Sequence, residues 1–193
     1  MRTLPVLGAV LAALLASCAT SSMVSQQSNP DYVGKSFRSV MVVAVTQDDL
    51  VRRTFEDRMV GLLVKRGLKG IPGYEAIGSR GKVDEAELRR AVAASGAEGV
   101  LITRVVRIDR ASGTVPGATV GIGFYGYWET VQFAPQKVDG PSWTVSETRL
   151  FDAKNGVLAW TGVMDTREND DLGAALTQYI NVVFDAMVRD RVL

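Results

Sequence analysis

Reactive side chains are scarce in this 193-residue chain, and their types decide most of what it can do. It has no histidine, so a Ser-His-Asp triad, a histidine metal site and an imidazole general base are all excluded. The sole cysteine, Cys18, leaves no internal disulfide to form. No Walker sequence occurs, and the glycines from Gly117 to Gly126 do not stand between a strand and a helix as a nucleotide fingerprint requires. Carboxylates, arginines and aromatics remain. Asp48 with Asp49, and Glu168 with Asp170 and Asp171, are clusters of the kind that bind a divalent cation or act as an acid/base pair. Both precede helices, where acids cap free amides and complement the dipole, and neither has calcium-loop spacing. The structural role is therefore the expected one, and no metal, cofactor or catalytic residue is assigned. Arg104, Arg107 and Arg110 fall on one strand, where a phosphate or polymer site competes with a solvated edge that blocks unwanted pairing; the edge is favoured. The most unusual stretch is GIGFYGYW. Phe124, Tyr125, Tyr127 and Trp128 lie within five positions, beside glycines that let a backbone approach another surface closely. Aromatic anchors on such a loop suit a protein partner or a glycan; the alternative is that Tyr127 and its neighbours enter a strand and pack the core. Trp143 and Trp160 read as core residues.

The elements that must position these groups begin after an export segment. Met1-Arg2-Thr3 is followed by an apolar run of 13 residues from Leu4 to Ala16, interrupted only by Pro5 and Gly8. That is a secretory signal, too short to span a bilayer, which needs about 20 apolar residues. Leu15-Ala16-Ser17-Cys18 resembles the bacterial lipobox, with a leucine three before the cysteine and small residues between. The resemblance implies cleavage after residue 17 and lipidation (diacylglycerol, palmitate) of Cys18. Two or three acyl chains, at about 0.8 kcal/mol per buried methylene, would hold a domain on a membrane almost permanently. Ala19, in place of the Asp that favours inner-membrane retention, implies the periplasmic face of an outer membrane. The expected organisation is a signal peptide over residues 1–17, a lipidated and flexible tether over 18–36, and a single domain over 37–193.

The domain reads as α/β. Phe37 to Val45 is a continuous β-branched run suited to a strand buried on both faces. Thr46 and Asp49 then form a capping box for a helix with Leu50, Phe55, Met59, Leu62 and Leu63 on one stripe, closed by Gly67. A short strand is expected at Tyr74 to Ile77, then a helix capped by Asp84 with Leu88, Val92 and Ala93 inward and Gly96 at its end. Gly99 to Arg110 alternates as a long strand. This βαβαβ opening is followed by strands at Tyr127 to Phe133 and Ser142 to Phe151. A hairpin at Asp152 to Gly156, where Asn155-Gly156 supplies positive φ, leads to a strand from Val157 to Met164. Asp170 and Asp171 open a terminal amphipathic helix with Leu172, Leu176, Tyr179, Ile180, Val183 and Met187 at helical spacing. The expected architecture is a mixed sheet with an antiparallel meander and the last helix packed on it.

The VMVVAV strand entering an amphipathic helix, the GVLITRVVRI strand and the hairpin RLFDAKNGVLAWTG together resemble a group of bacterial envelope lipoproteins. These share the fold of the curli-secretion lipoprotein and of the amino-terminal domain of the Tol-system propeller protein. The resemblance implies a lipid-anchored periplasmic module that binds other envelope proteins or assembles with copies of itself, without catalysis. The alternative function is binding of peptidoglycan or another envelope glycan or lipid through Phe124, Tyr125, Tyr127 and Trp128. The charge balance, 22 Lys+Arg against 21 Asp+Glu, argues against a nucleic-acid partner.

Overall fold

A computed structural model describes residues 21–46, 48–77, 85–109, 114–115, 136–137, 143–167 and 171–193. The main sheet has six strands: β1 (Ser21–Ser28), β2 (Ser39–Val45), β3 (Lys69–Pro72), β4 (Gly99–Asp109), β7 (Trp143–Asp152) and β8 (Leu158–Arg167). Their spatial order is β1-β8-β7-β4-β2-β3, and β5 (Thr114–Val115) pairs with β6 (Gln136–Lys137) in a separate ribbon. β2 runs parallel to both β3 and β4, whereas β4, β7, β8 and β1 are successively antiparallel. The expected α/β class, the mixed sheet with its meander and the packed terminal helix are all present.

Among the described residues four helices cover the sheet: α1 (Asp49–Lys65), α2 (Gly73–Ile77), α3 (Glu85–Ser95) and α4 (Leu172–Arg189). The β-branched run of β2 serves both layers. Val40, Val42 and Ala44 face a core built with Phe55, Met59 and Leu63 of α1 and with Tyr179, Ile180, Val183 and Met187 of α4. Met41 and Val43 face the other layer, with Ile77, Leu88 and Val92. Each of these large side chains contributes about 1.5–3 kcal/mol through burial.

Several expectations are corrected. The tether expected to run through residues 18–36 is ordered from Ser21, as β1 and a single 3-10 turn (Pro30–Tyr32). Its polar sequence suits an edge strand with one solvated side, and β8 offers it an unpaired row of backbone groups. Met23 packs on the core, and Asp190 at the end of α4 accepts hydrogen bonds from Gln26 (3.0 Å) and Ser28 (3.1 Å). The third strand is Lys69–Pro72, and Tyr74–Ile77 falls in α2, because Pro72 has no amide with which to continue the ladder. Asp48, not Thr46, caps α1, accepting from Leu50 and Val51 at 2.9 and 3.0 Å. Leu50 and Leu172 are exposed, as is Ala93. In the hairpin only Gly156 takes positive φ (71°); Asp152 makes the turn by accepting from the amide of Lys154 at 2.8 Å. β4 is no edge: it lies between β7 and β2, and Arg104 is buried against Glu147 at 3.1 Å while Arg107 is exposed. Trp160 is fully buried, whereas Trp143 is half-buried at the start of β7. Asp84, Arg110, Glu168, Asp170 and the strand expected at Tyr127 to Phe133 lie outside the described residues.

Candidate functional site

A cleft of about 480 Å³ opens at one end of the sheet. It lies at the carboxyl end of β2 and over the middle of β4, where the parallel pairing of the two strands ends, the kind of place where open α/β sheets form ligand crevices. The antiparallel half contributes the start of β7 (Thr144, Ser146) and the end of β8 (Thr166, Arg167), and the first turns of α1 and α4 close the sides. Four ends meet there for a topological reason: a strand that leaves at this end and one that enters at this end alternate across the meander.

Val51, Phe55, Ala175 and Leu176 form apolar walls. The floor holds a chain of hydroxyls, Thr103 to Thr148 at 2.8 Å and Thr148 to Tyr179 at 2.7 Å. Burial pushes the Tyr179 phenol up to about 12, against the hydrogen bonds of Thr148 and Thr103, so it stays neutral over the physiological range. The described lining residues include no carboxylate and, histidine being absent from the chain, no imidazole. The cleft is equipped to bind an apolar body beside hydroxyls and two arginines, Arg104 and Arg167, and its described lining presents no acid/base pair.

Its mouth is unusually apolar. Leu172, at the first position of α4, is 61% exposed, and Val105 in the middle of β4 is 47% exposed; both line the cleft. Leu50 is 77% exposed and immediately precedes the lining residue Val51. Arg167 stands at the same rim, its guanidinium 5.3 Å from the ring of Trp143.

Glu56 holds the cleft's α1 wall to the sheet. It is fully buried and replaces the missing end of β3: one carboxylate oxygen accepts from the amide of Ala44 at 3.0 Å, the other from the amide of Tyr74 at 2.7 Å. Arg52 adds an ion pair at 3.1 Å. Burial pushes the carboxyl above its ordinary value, opposed by the two amides and by Arg52.

A second hollow, of about 550 Å³, lies at the opposite end of the sheet beside the β7–β8 hairpin. Its lining mixes Lys35, Arg89 and Lys154 with Glu98 and Asp152, and Asp152 already accepts the Tyr32 hydroxyl at 3.0 Å.

Cys18, Phe124, Tyr125, Tyr127 and Trp128 all fall outside the described residues. Asp48 and Asp171 are the N-caps of α1 and α4, Asp171 accepting from Ala174 at 2.9 Å. Asp49 pairs with Arg53 at 3.2 Å. Among the described residues no three metal-ligating side chains converge. Sequence reasoning missed the cleft because two of its wall residues, Phe55 and Leu176, belong to the helical stripes read as core. The available signal was Leu50 and Leu172, apolar residues in the first turns of α1 and α4.

Neither a protein-family model nor a curated protein matches the sequence. Among solved structures the fold is similar to PelC of Paraburkholderia phytofirmans, determined as a dodecamer. The identity is 15%, over 84% of this chain and 94% of that one, with a TM-score of 0.44. It is also similar to lipoprotein GNA1162 of Neisseria meningitidis, at 18% identity over 78% of this chain and 98% of that one, with a TM-score of 0.41. These are distant likenesses in fold, and no ligand, partner or assembly is transferred from them.

Proposed function

We propose that the chain is a lipid-anchored, non-catalytic binding module of the bacterial envelope, held at the periplasmic face of the outer membrane by acyl chains on Cys18. One observation carries this reading. Ser21, three residues beyond Cys18, is already tied into the sheet: its amide donates to Gln178 at 3.3 Å and its hydroxyl pairs with that of Thr166 at 3.0 Å. Three residues reach at most about 11 Å, so a lipid on Cys18 would hold the domain against the bilayer, with little freedom to swing. Thr166 lines the cleft, so the end of the sheet that carries the cleft is the end nearest the anchor.

The protein-interaction role expected from the sequence becomes, on this reading, binding through that end of the sheet. A cleft walled by Phe55, Val51 and Leu176, without carboxylates among its described lining, supports recognition in preference to catalysis. The test is fractionation of cells labelled with a palmitate analogue. Wild-type protein is expected in the membrane fraction and labelled, and Cys18→Ser in the soluble fraction and unlabelled. Unchanged membrane association of Cys18→Ser, or an unlabelled wild-type protein, would overturn the reading.

A further inference from the structure

We propose that the cleft at the Ser21 end of the sheet takes an acyl chain of a membrane lipid. The inference rests on the anchor reading above and adds the ligand.

Four observations converge on it. The first is size: about 480 Å³ falls within the range of about 300–1,000 Å³ of small-molecule pockets. The second is chemistry. Val51, Phe55, Ala175 and Leu176 make walls that suit a hydrocarbon; of the polar lining, the hydroxyls of Thr103 and Tyr179 are partnered through Thr148, that of Thr166 by Ser21, and the Arg104 guanidinium by Glu147, so these groups keep their partners beside an apolar occupant. The third is the mouth, where the lining residues Val105 and Leu172 stand in water, as does Leu50 beside the lining residue Val51, although nothing in the described fold buries them. Apolar residues ringing a cleft mark a surface completed by another apolar phase. Arg167 at the same rim, beside Trp143, supplies what the lipid's other end requires: a cation for an anionic headgroup and an amphipathic ring at the water interface.

The fourth observation selects a bilayer lipid over a free amphipath. The chain enters the domain at Ser21, hydrogen-bonded to the cleft residue Thr166, and Cys18 is three residues away. A protein anchored there carries Ser21, and with it the strand end that holds the cleft residue Thr166, within about 11 Å of the anchored residue, so the cleft end of the sheet faces a supply of acyl chains set by the membrane itself.

The test uses full-length lipidated protein, purified without label and reconstituted in phosphatidylethanolamine–phosphatidylglycerol vesicles. These contain a few per cent of a phospholipid with a diazirine at the end of one acyl chain, so only bilayer lipid is reactive. After irradiation and digestion, adducts are expected on the peptides holding Val51–Phe55 and Leu172–Leu176. A Leu50→Asp/Leu172→Asp double variant changes two exposed positions and should fold normally, which a thermal melt checks. Its adducts should fall roughly tenfold, the factor that losing one buried leucine contact implies. Adducts absent from those peptides, undiminished in the double variant, or replaced by protein–protein products joining two cleft ends would overturn the inference. Failure of the anchor reading looks different: wild-type protein appears in the soluble fraction of cells. The cleft is then read on Cys18→Ser protein mixed with the same vesicles, where adducts on the same peptides uphold the ligand and their absence overturns it.

Discussion

Replacing Gly162 by alanine should unfold this protein at markedly lower temperature, and the reason lies in one contact. A Cβ built at Gly162 would stand 2.3 Å from Cη2 of Trp160 and 3.0 Å from two further ring carbons. Carbon atoms pack best at about 3.5–4.0 Å, so the indole would have to withdraw by roughly 1.2 Å or more. Trp160 is fully buried, and its Nε1 donates to Asp190 at 2.8 Å, so there is neither empty space nor a neutral direction of retreat. Overpacking of a filled core costs about 1–3 kcal/mol, and leaving the indole N–H buried without its acceptor about 1–3 more. The sum, about 2–6 kcal/mol, corresponds to a drop in Tm of roughly 5–20 °C for a domain of this size. Thermal and urea melts of Gly162→Ala, Trp160→Phe and the double variant measure it. Phenylalanine lacks the outer ring carbons, so in that background Gly162→Ala should cost under about 1 kcal/mol. A Gly162→Ala protein within about 0.5 kcal/mol of the parent, or a cost unchanged by Trp160→Phe, would refute the packing argument.

Other consequences are as direct. Glu56→Ala strands the amides of Ala44 and Tyr74 and should cost about 3–5 kcal/mol in urea melts, the range for breaking one side of a buried pair. Because the folded-state pKa of Glu56 is raised above its unfolded value, its contribution is fully present below the unfolded pKa and is lost as pH rises through the folded one. The cost of Glu56→Gln should therefore be larger at pH 4 than at pH 7, and a cost that grows with pH would contradict the assignment. Asp190→Ala releases Gln26, Ser28 and Trp160 together; a loss of about 2–4 kcal/mol is expected, with faster amide exchange across Ser21–Ser28 than elsewhere in the sheet. Tyr179→Phe should cost about 1 kcal/mol, since Thr103 and Thr148 keep each other. In the parent, one tyrosine should ionise only near pH 12, and the stability it carries should be lost as pH rises through that value.

How much of this was legible depended on whether a residue's neighbours in sequence were also its neighbours in space. The β-branched run of β2, the stripes of α1 and α4 and the β7–β8 hairpin are local patterns, and each forms where the periodicity puts it. Position in the sheet is not local. Arg104 looks like a solvated cation until β7 is laid beside β4 and Glu147 becomes its register partner. Glu56 sits among the charged residues of α1, but the early end of β3 at Pro72 turns its carboxylate into an acceptor for a strand amide. Leu50 and Leu172 fit their helical stripes and yet are exposed, Leu172 lining the cleft and Leu50 standing next to the lining residue Val51. The cleft is therefore the part least visible in the sequence: it is made by where four elements stop.

β1 carries the same lesson furthest. The segment SSMVSQQS is polar and aperiodic, the composition of a linker, and by composition alone it would leave the domain free to swing from the anchor proposed at Cys18. It is held instead by partners more than 130 residues away: the backbone of β8, and Asp190 at the far end of α4. An edge strand needs only one apolar contact and a row of free amides to pair with, so Met23 and the β8 ladder suffice where periodicity gives no sign. The functional difference is large. With a tether of about a dozen residues the orientation of the cleft would be averaged over many directions, whereas with three residues it is set by the sheet. If that is the design, inserting a flexible eight-residue Gly-Ser segment between Thr20 and Ser21 should leave membrane fractionation and the thermal melt unchanged. Lipid adducts at the cleft should fall, because such a segment adds a root-mean-square reach of roughly 15 Å. Equal labelling of the extended and native proteins would mean that proximity to the anchor does not govern what the cleft binds.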